Sequence, residues 1–174
     1  MRDVLTARGI AMSTTAAIRS WQATIPPKPL FQRFLLPIDG SELSFRAFDR
    51  GLKLAKSFGA KVLALHVVPP FNSIAYMSEI LAATEFVYSQ QALQSASRYL
   101  IEAKEMAKSA GVPCECHYVF GERPHEAILE AVADYQCDLI IMATHGWHGI
   151  NKLLLGSETQ KVLIDSKVPV LVCR

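Results

Sequence analysis

Between Gly146 and Ser157 the chain carries glycines and a hydroxyl at a spacing that can hold an anion. The stretch ATHGWHGINKLLLGSETQKVL (Ala143–Leu163) follows the apolar run CDLIIM and leads into a segment that reads as a helix, with its first turn near Gly156-Ser157. The first N–H groups of a helix have no partner within it and carry the positive end of its dipole. An anion placed there gains hydrogen bonds and a favourable field. A glycine at the helix start lets a phosphate approach the backbone, Ser157 adds a hydroxyl donor, and Gly146 permits a tight turn. On Gly-Ser alone, a plain N-cap with two turn glycines is the better reading, since such pairs are common. It is not a Walker A loop, because no lysine precedes Ser157. Nor is it a GxGxxG dinucleotide fingerprint, because only Asp39-Gly40-Ser41 follows the first strand.

Other candidates are weaker. Glu122 and Glu126 are four apart at a helix start, where acids ordinarily complement the dipole. His145 and His148 flank the expected turn; they read as loop histidines, one of them in reach of a phosphate, and two histidines without a third ligand are no metal site. His66 ends an apolar strand and reads as a packed core histidine. Trp147 suits either a cover over a ligand or partner, or packing on a neighbouring helix. The four cysteines (Cys114, Cys116, Cys137 and Cys173) form no CxxC pair and complete no zinc spacing. They read as small buried apolar side chains in a reducing cytoplasm, with Cys114 and Cys116 on one face of a strand that keeps them from pairing easily.

The elements that must position these residues follow from apolar periodicity. RFLLPI (33–38) is a strand closed by Asp39-Gly40-Ser41, and a helix follows that stops at Gly59. KVLALHVVPP (61–70) is a second strand. Residues 71–84 are ambiguous, sited where a lid would lie. A long helix from about Thr84 to Ala110 shows apolar steps of three and four, from Leu93 onward. VPCECHYVF (112–120) is a third strand, a helix follows with Pro124 in its first turn, and CDLIIMA (137–143) is a fourth strand. After the Gly156-Ser157 helix, VPVLVC (168–173) is the last, and Pro169 suits an edge. Strands separated throughout by helices predict a doubly wound α/β domain: a five-stranded parallel sheet covered on both faces. Ligands of such a sheet bind beyond the carboxyl ends of its strands, where strand order reverses. Asp39, Val67 and Ala143–Gly146 all fall there.

Composition narrows the function classes. The chain has 174 residues, 51% of them hydrophobic, and a formal charge of +2. Residues 1–30 hold four basic side chains against one acidic, and the remainder fourteen against fifteen. No basic face recommends nucleic acid, and no apolar run approaches the ~20 residues that cross a membrane. Residues 1–30 are expected to be a flexible extension ending in the linker IPPKPL. A targeting segment and a start assigned too early, with Met12 one alternative, remain open.

From about Phe31 to Arg174 the chain resembles the universal stress protein family. LLPIDGSELSFRAFDRGLKLAKSFGAKVLALHVV, DLIIMATHGWHGINKLLLGSETQKVL and VPVLVCR carry the resemblance. Its ATP-binding branch has the motif G-x2-G-x9-G-[ST]; here Ala143 takes the first glycine position, Gly146 the second, and Gly156-Ser157 the last two. The resemblance implies strand order 3-2-1-4-5. It implies ATP, alone or with Mg2+, held by Asp39 and Pro37 on the adenine side, with the Val67 backbone beside them. Met142 and Ala143 would line the adenosine. Gly146, Gly156 and Ser157, with the Glu158 N–H, would hold the phosphates, and His145 stands within the motif. A methyl at Ala143 disfavours this if φ is positive there, and the Glu158 carboxylate either points away or repels phosphate. The resemblance also implies a homodimer through residues 168–173. No catalytic set is visible, so the expected function is a nucleotide-dependent stress-response regulator with slow ATP hydrolysis at most. The alternative is a relative that binds no ATP and acts as a dimeric protein-interaction module.

Overall fold

The computed structural model describes residues 30–70, 78–144 and 155–174, with the backbone alone for 78–86. All but the last residue of the expected extension (1–30), and the first half (71–77) of the ambiguous segment 71–84, lie outside the described residues. Nine elements alternate: β1 (Arg33–Pro37), α1 (Glu42–Phe58), β2 (Lys61–Val68), α2 (Ser78–Ala110), β3 (Cys114–Phe120), α3 (Pro124–Asp134), β4 (Leu139–Ala143), α4 (Ser157–Asp165) and β5 (Val170–Cys173). The sheet is parallel throughout, in the order β3-β2-β1-β4-β5. This is the expected doubly wound α/β fold.

Strand periodicity sorts the core into two layers. Phe34 and Leu36 of β1, Ala64 of β2, and Ile141 and Ala143 of β4 pack beneath α1 and α2, against Phe48, Leu52, Leu100 and Ala103. Leu35, Leu63, Leu65, Ile140 and Met142 face the other way, against Ile128 and Ala131 of α3 and Val162 of α4. β4 is apolar and buried at every position and β1 at its inner residues Phe34, Leu35 and Leu36, whereas the edge strands expose Glu115, Tyr118 and Phe120 of β3 and Leu171 of β5.

Local chemistry sets the element ends. The Ser41 side chain caps α1 by accepting from the Ser44 N–H at 3.2 Å. Gly59 stops it in the left-handed region, at φ 65°, donating to the Lys56 carbonyl. α2 starts at Ser78, ahead of the expected Thr84. The apolar stripe is regular only from Leu93, so periodicity under-reads the first turns, whose Leu81, Ala82 and Ala83 are strong helix formers. No helix of the described residues is long and apolar enough to cross a membrane.

Candidate functional site

The ladder between β1 and β4 is closed at one end and open at the other. Just before β4, the Asp138 carboxylate accepts from the N–H groups of Gln32 (2.6 Å) and Arg33 (3.0 Å), and the Asp138 N–H donates to the Arg33 carbonyl. Pairing runs through Phe34–Leu139 and Leu35–Ile140 and stops. Farther along, β1 continues with β2 to Pro37–Leu65, and the Ile38 N–H reaches the Leu65 carbonyl at 2.9 Å. β4 continues with β5 to Ala143–Cys173, and the Thr144 N–H reaches the Cys173 carbonyl at 2.9 Å. The two central strands therefore part toward their carboxyl ends, at the point where strand order reverses. Pro37 and Asp39 stand on one lip, Met142 and Ala143 on the other.

On the first lip the Asp39 carboxylate organises its own turn. Its Oδ1 accepts from the Ser41 N–H (3.0 Å) and hydroxyl (2.6 Å). Gly40 between them sits at φ 84°, and a Cβ there would lie 2.1 Å from the Tyr99 ring of α2. Behind this turn His66 is buried, its Nδ1–H donating to the Ile38 carbonyl at 2.8 Å, with its ring edge-on to Tyr99. That is the packed core role expected of it. Val67 shares the backbone orientation of Leu65, whose carbonyl meets β1, so its N–H and C=O turn toward the parting strands.

On the second lip the start of α4 is tied to the end of β4. The Gly156 N–H donates to the Thr144 carbonyl at 2.7 Å, and the buried Thr159 hydroxyl donates to the Ala143 carbonyl at 3.0 Å. Gly156, not Ser157, is the N-cap, and no side chain caps the helix. Its φ of −59° is open to any residue, so backbone conformation does not demand glycine here. Absence of a side chain is what the position offers. Ser157 and Glu158 then supply first-turn N–H groups that have no intrahelical partner.

Two departures from the motif can be placed. Ala143 lies in the extended strand, outside the left-handed region, and its methyl packs with the core beneath α1 and α2. Met142 faces the opposite side of the sheet; the two share the lip through backbone rather than one side-chain wall. The Glu158 carboxylate is drawn to α3. Its Oε2 accepts from the His125 N–H (2.9 Å) and Nδ1–H (2.8 Å), and its Oε1 from Lys161 (2.8 Å). Partial burial works to raise its pKa, but the Lys161 and His125 hydrogen bonds prevail and hold it at about 2.

His145 and Gly146, with Trp147, His148 and Lys152, lie outside the described residues. Sequence reasoning missed Tyr99, His125 and Thr159, and took Thr144 only as part of the stretch Ala143–Gly146. Each acts through a contact distant in the chain, and only a Thr inside an amphipathic helix (Thr159) carried a local signal.

The sequence profile of the universal stress protein family matches residues 30–174. The chain is 33% identical over 148 residues to the universal stress protein in the QAH/OAS sulfhydrylase 3' region of Thermus aquaticus, covering 83% of this chain and 100% of the relative. It is 32% identical over 154 residues to universal stress protein YxiE of Bacillus subtilis, covering 83% and 100%. Among solved structures, MJ0577 of Methanocaldococcus jannaschii is similar with a TM-score of 0.66 at 29% identity, covering 82% of this chain and 94% of that one. A universal stress protein in complex with cAMP gives a TM-score of 0.62 at 28% identity, covering 83% and 97%.

Proposed function

Because this chain belongs to the universal stress protein family, we propose that it binds an adenine nucleotide, ATP foremost, where β1 and β4 part. The observation that carries the reading is the start of α4. It is fixed to the end of β4 by the Gly156–Thr144 hydrogen bond, bears no capping side chain, and has glycine where φ does not require it. A helix start of that kind leaves room and donors for phosphate. Asp39, Pro37 and the Val67 backbone would hold the adenine side, Met142 and Ala143 the adenosine, and Gly146, Gly156, Ser157 and the Glu158 N–H the phosphates, with His145 beside them. Ala143 accommodates this because its methyl belongs to the core. The Glu158 carboxylate accommodates it because it is committed to His125 and Lys161. A relative at 28% identity bound to cAMP supports an adenine ligand.

Residues 31–174 would form the nucleotide-binding domain and 1–30 its extension. The domain would pair as a homodimer through β5, an edge strand with Leu171 exposed. Nucleotide occupancy would alter the dimer's shape or partners in a reducing, cytoplasmic setting. We propose binding with slow hydrolysis at most, since phosphoryl transfer needs a positioned nucleophile and charge stabilisation. Mass spectrometry of small molecules released from the purified protein tests the reading. Released ATP or another adenine nucleotide is expected; an empty protein that also ignores added nucleotide leaves the dimeric interaction module as the function.

A further inference from the structure

At the end of the sheet opposite the crevice, two thiols face each other. Cys114 and Cys116 are alternate residues of β3, so both side chains rise from one face. Their Sγ atoms lie 3.9 Å apart. Both are half-buried against the core beneath α1 and α2. β3 is an edge strand, so the pair is reached from the rim of the sheet. The hydrogen bond between the two thiols, with burial, pushes Cys114 up and lowers Cys116 against its own burial, and Lys104 of α2 lies close enough to Cys116 to favour negative charge there.

A disulfide does not suit this geometry. Register with Val62 and Ala64 keeps Cys114 and Cys116 extended. At about 3.3 Å of rise per residue their Cα atoms stand roughly 6.6 Å apart, near the limit for a bridge. A bridging ion suits it better. At metal–sulfur distances of about 2.3 Å, a 3.9 Å sulfur separation subtends roughly 115° at the metal. We propose that Cys114 and Cys116 form a two-thiolate site for a soft metal ion of low coordination number, of the monovalent copper class. Thiolates select soft ions. Structural zinc wants four protein ligands, whereas no cluster of three metal-binding side chains occurs among the described residues. One Cu+ replaces the two thiol protons, which leave to solvent. The bis-thiolate complex carries one negative charge beside Lys104, and its open position takes solvent or a small thiol.

Titration of the full chain with Cu+, kept reduced by ascorbate and in competition with a chromogenic Cu+ chelator, tests this. The expected result is one Cu+ retained per chain, with affinity lowered at least tenfold in Cys114→Ser and in Cys116→Ser and unchanged in Cys137→Ser. Equal retention by wild type and Cys116→Ser overturns the proposal. Should either variant fold poorly, the unmutated chain decides by peptide mapping. One equivalent of Cu+ is expected to shield Cys114 and Cys116 from alkylation, and unchanged labelling of both overturns the site. Nucleotide binding at the other end of the sheet should be indifferent to Cu+, so the two sites stand or fall separately.

Discussion

Glu158 of α4 caps α3 across a gap of 33 residues, by accepting from both the backbone N–H and the Nδ1–H of His125. α3 needs this, because its own N-cap, Arg123, offers no capping side chain. The carboxylate thus joins two helices on one face of the sheet, while the Glu158 N–H stays in the first turn of α4.

The first prediction concerns pH. The Glu158 pKa falls from its ordinary 4.5 to about 2 in the folded state. Its contribution to stability is therefore complete above about 4.5 and is lost as pH falls through about 2. The carboxylate is one-third exposed, so screening reduces the worth to about 1 kcal/mol. Glu158→Gln should lower stability by that amount at neutral pH and converge with wild type near the acid limit, in denaturant melts across pH. Nucleotide affinity should change less than about threefold, or well under 1 kcal/mol, since the carboxylate faces His125.

A second prediction separates two glycines. At Gly59 an added Cβ meets nothing within 4 Å, so Gly59→Ala should cost only the left-handed strain, about 1 kcal/mol. At Gly40 the same strain applies, and the Cβ also runs into the Tyr99 ring. Gly40→Ala should cost about 3 kcal/mol in denaturant unfolding. Equal losses would show that Tyr99 does not seat the Asp39 turn.

Thr159→Val keeps shape and removes the hydroxyl that reaches the Ala143 carbonyl. A buried carbonyl then loses a partner, at about 1–2 kcal/mol. Thermal melts should show the loss. Nucleotide affinity should fall too, because the start of α4 is no longer anchored from both Ala143 and Thr144.

The β5 edge carries Leu171, with 43% of its surface exposed. Leu171→Lys should turn a homodimer into a monomer in light scattering at micromolar concentration. A wild-type chain already monomeric there would contradict pairing through 168–173.

Much of the fold was legible because buried parallel strands read as continuous apolar runs. LLPI, VLALHVV and LIIMA needed no partner to be recognised. The DGS turn, Gly59 and Pro124 punctuated the helices by backbone chemistry alone. The crevice followed in outline from topology. Its wiring did not, because the Asp138 clamp on Arg33, the Tyr99 ring beneath Gly40 and the Glu158–His125 bond all join residues far apart in sequence. Of the two courses open to the Glu158 carboxylate, its bonds to His125 and Lys161 favour the one that points away from the start of α4. The burden feared from Ala143 eased once its strand conformation was known.

Titration of the full chain with ATP by calorimetry, beside Gly156→Val, tests nucleotide binding at the start of α4 most directly. The backbone at Gly156 accepts any residue, so the variant should fold, losing about 1 kcal/mol of capping. Wild type should bind one ATP per chain with Kd below about 1 mM, and the variant at least tenfold more weakly. No heat from wild type at millimolar ATP, or equal affinities in the two proteins, would contradict a phosphate site there.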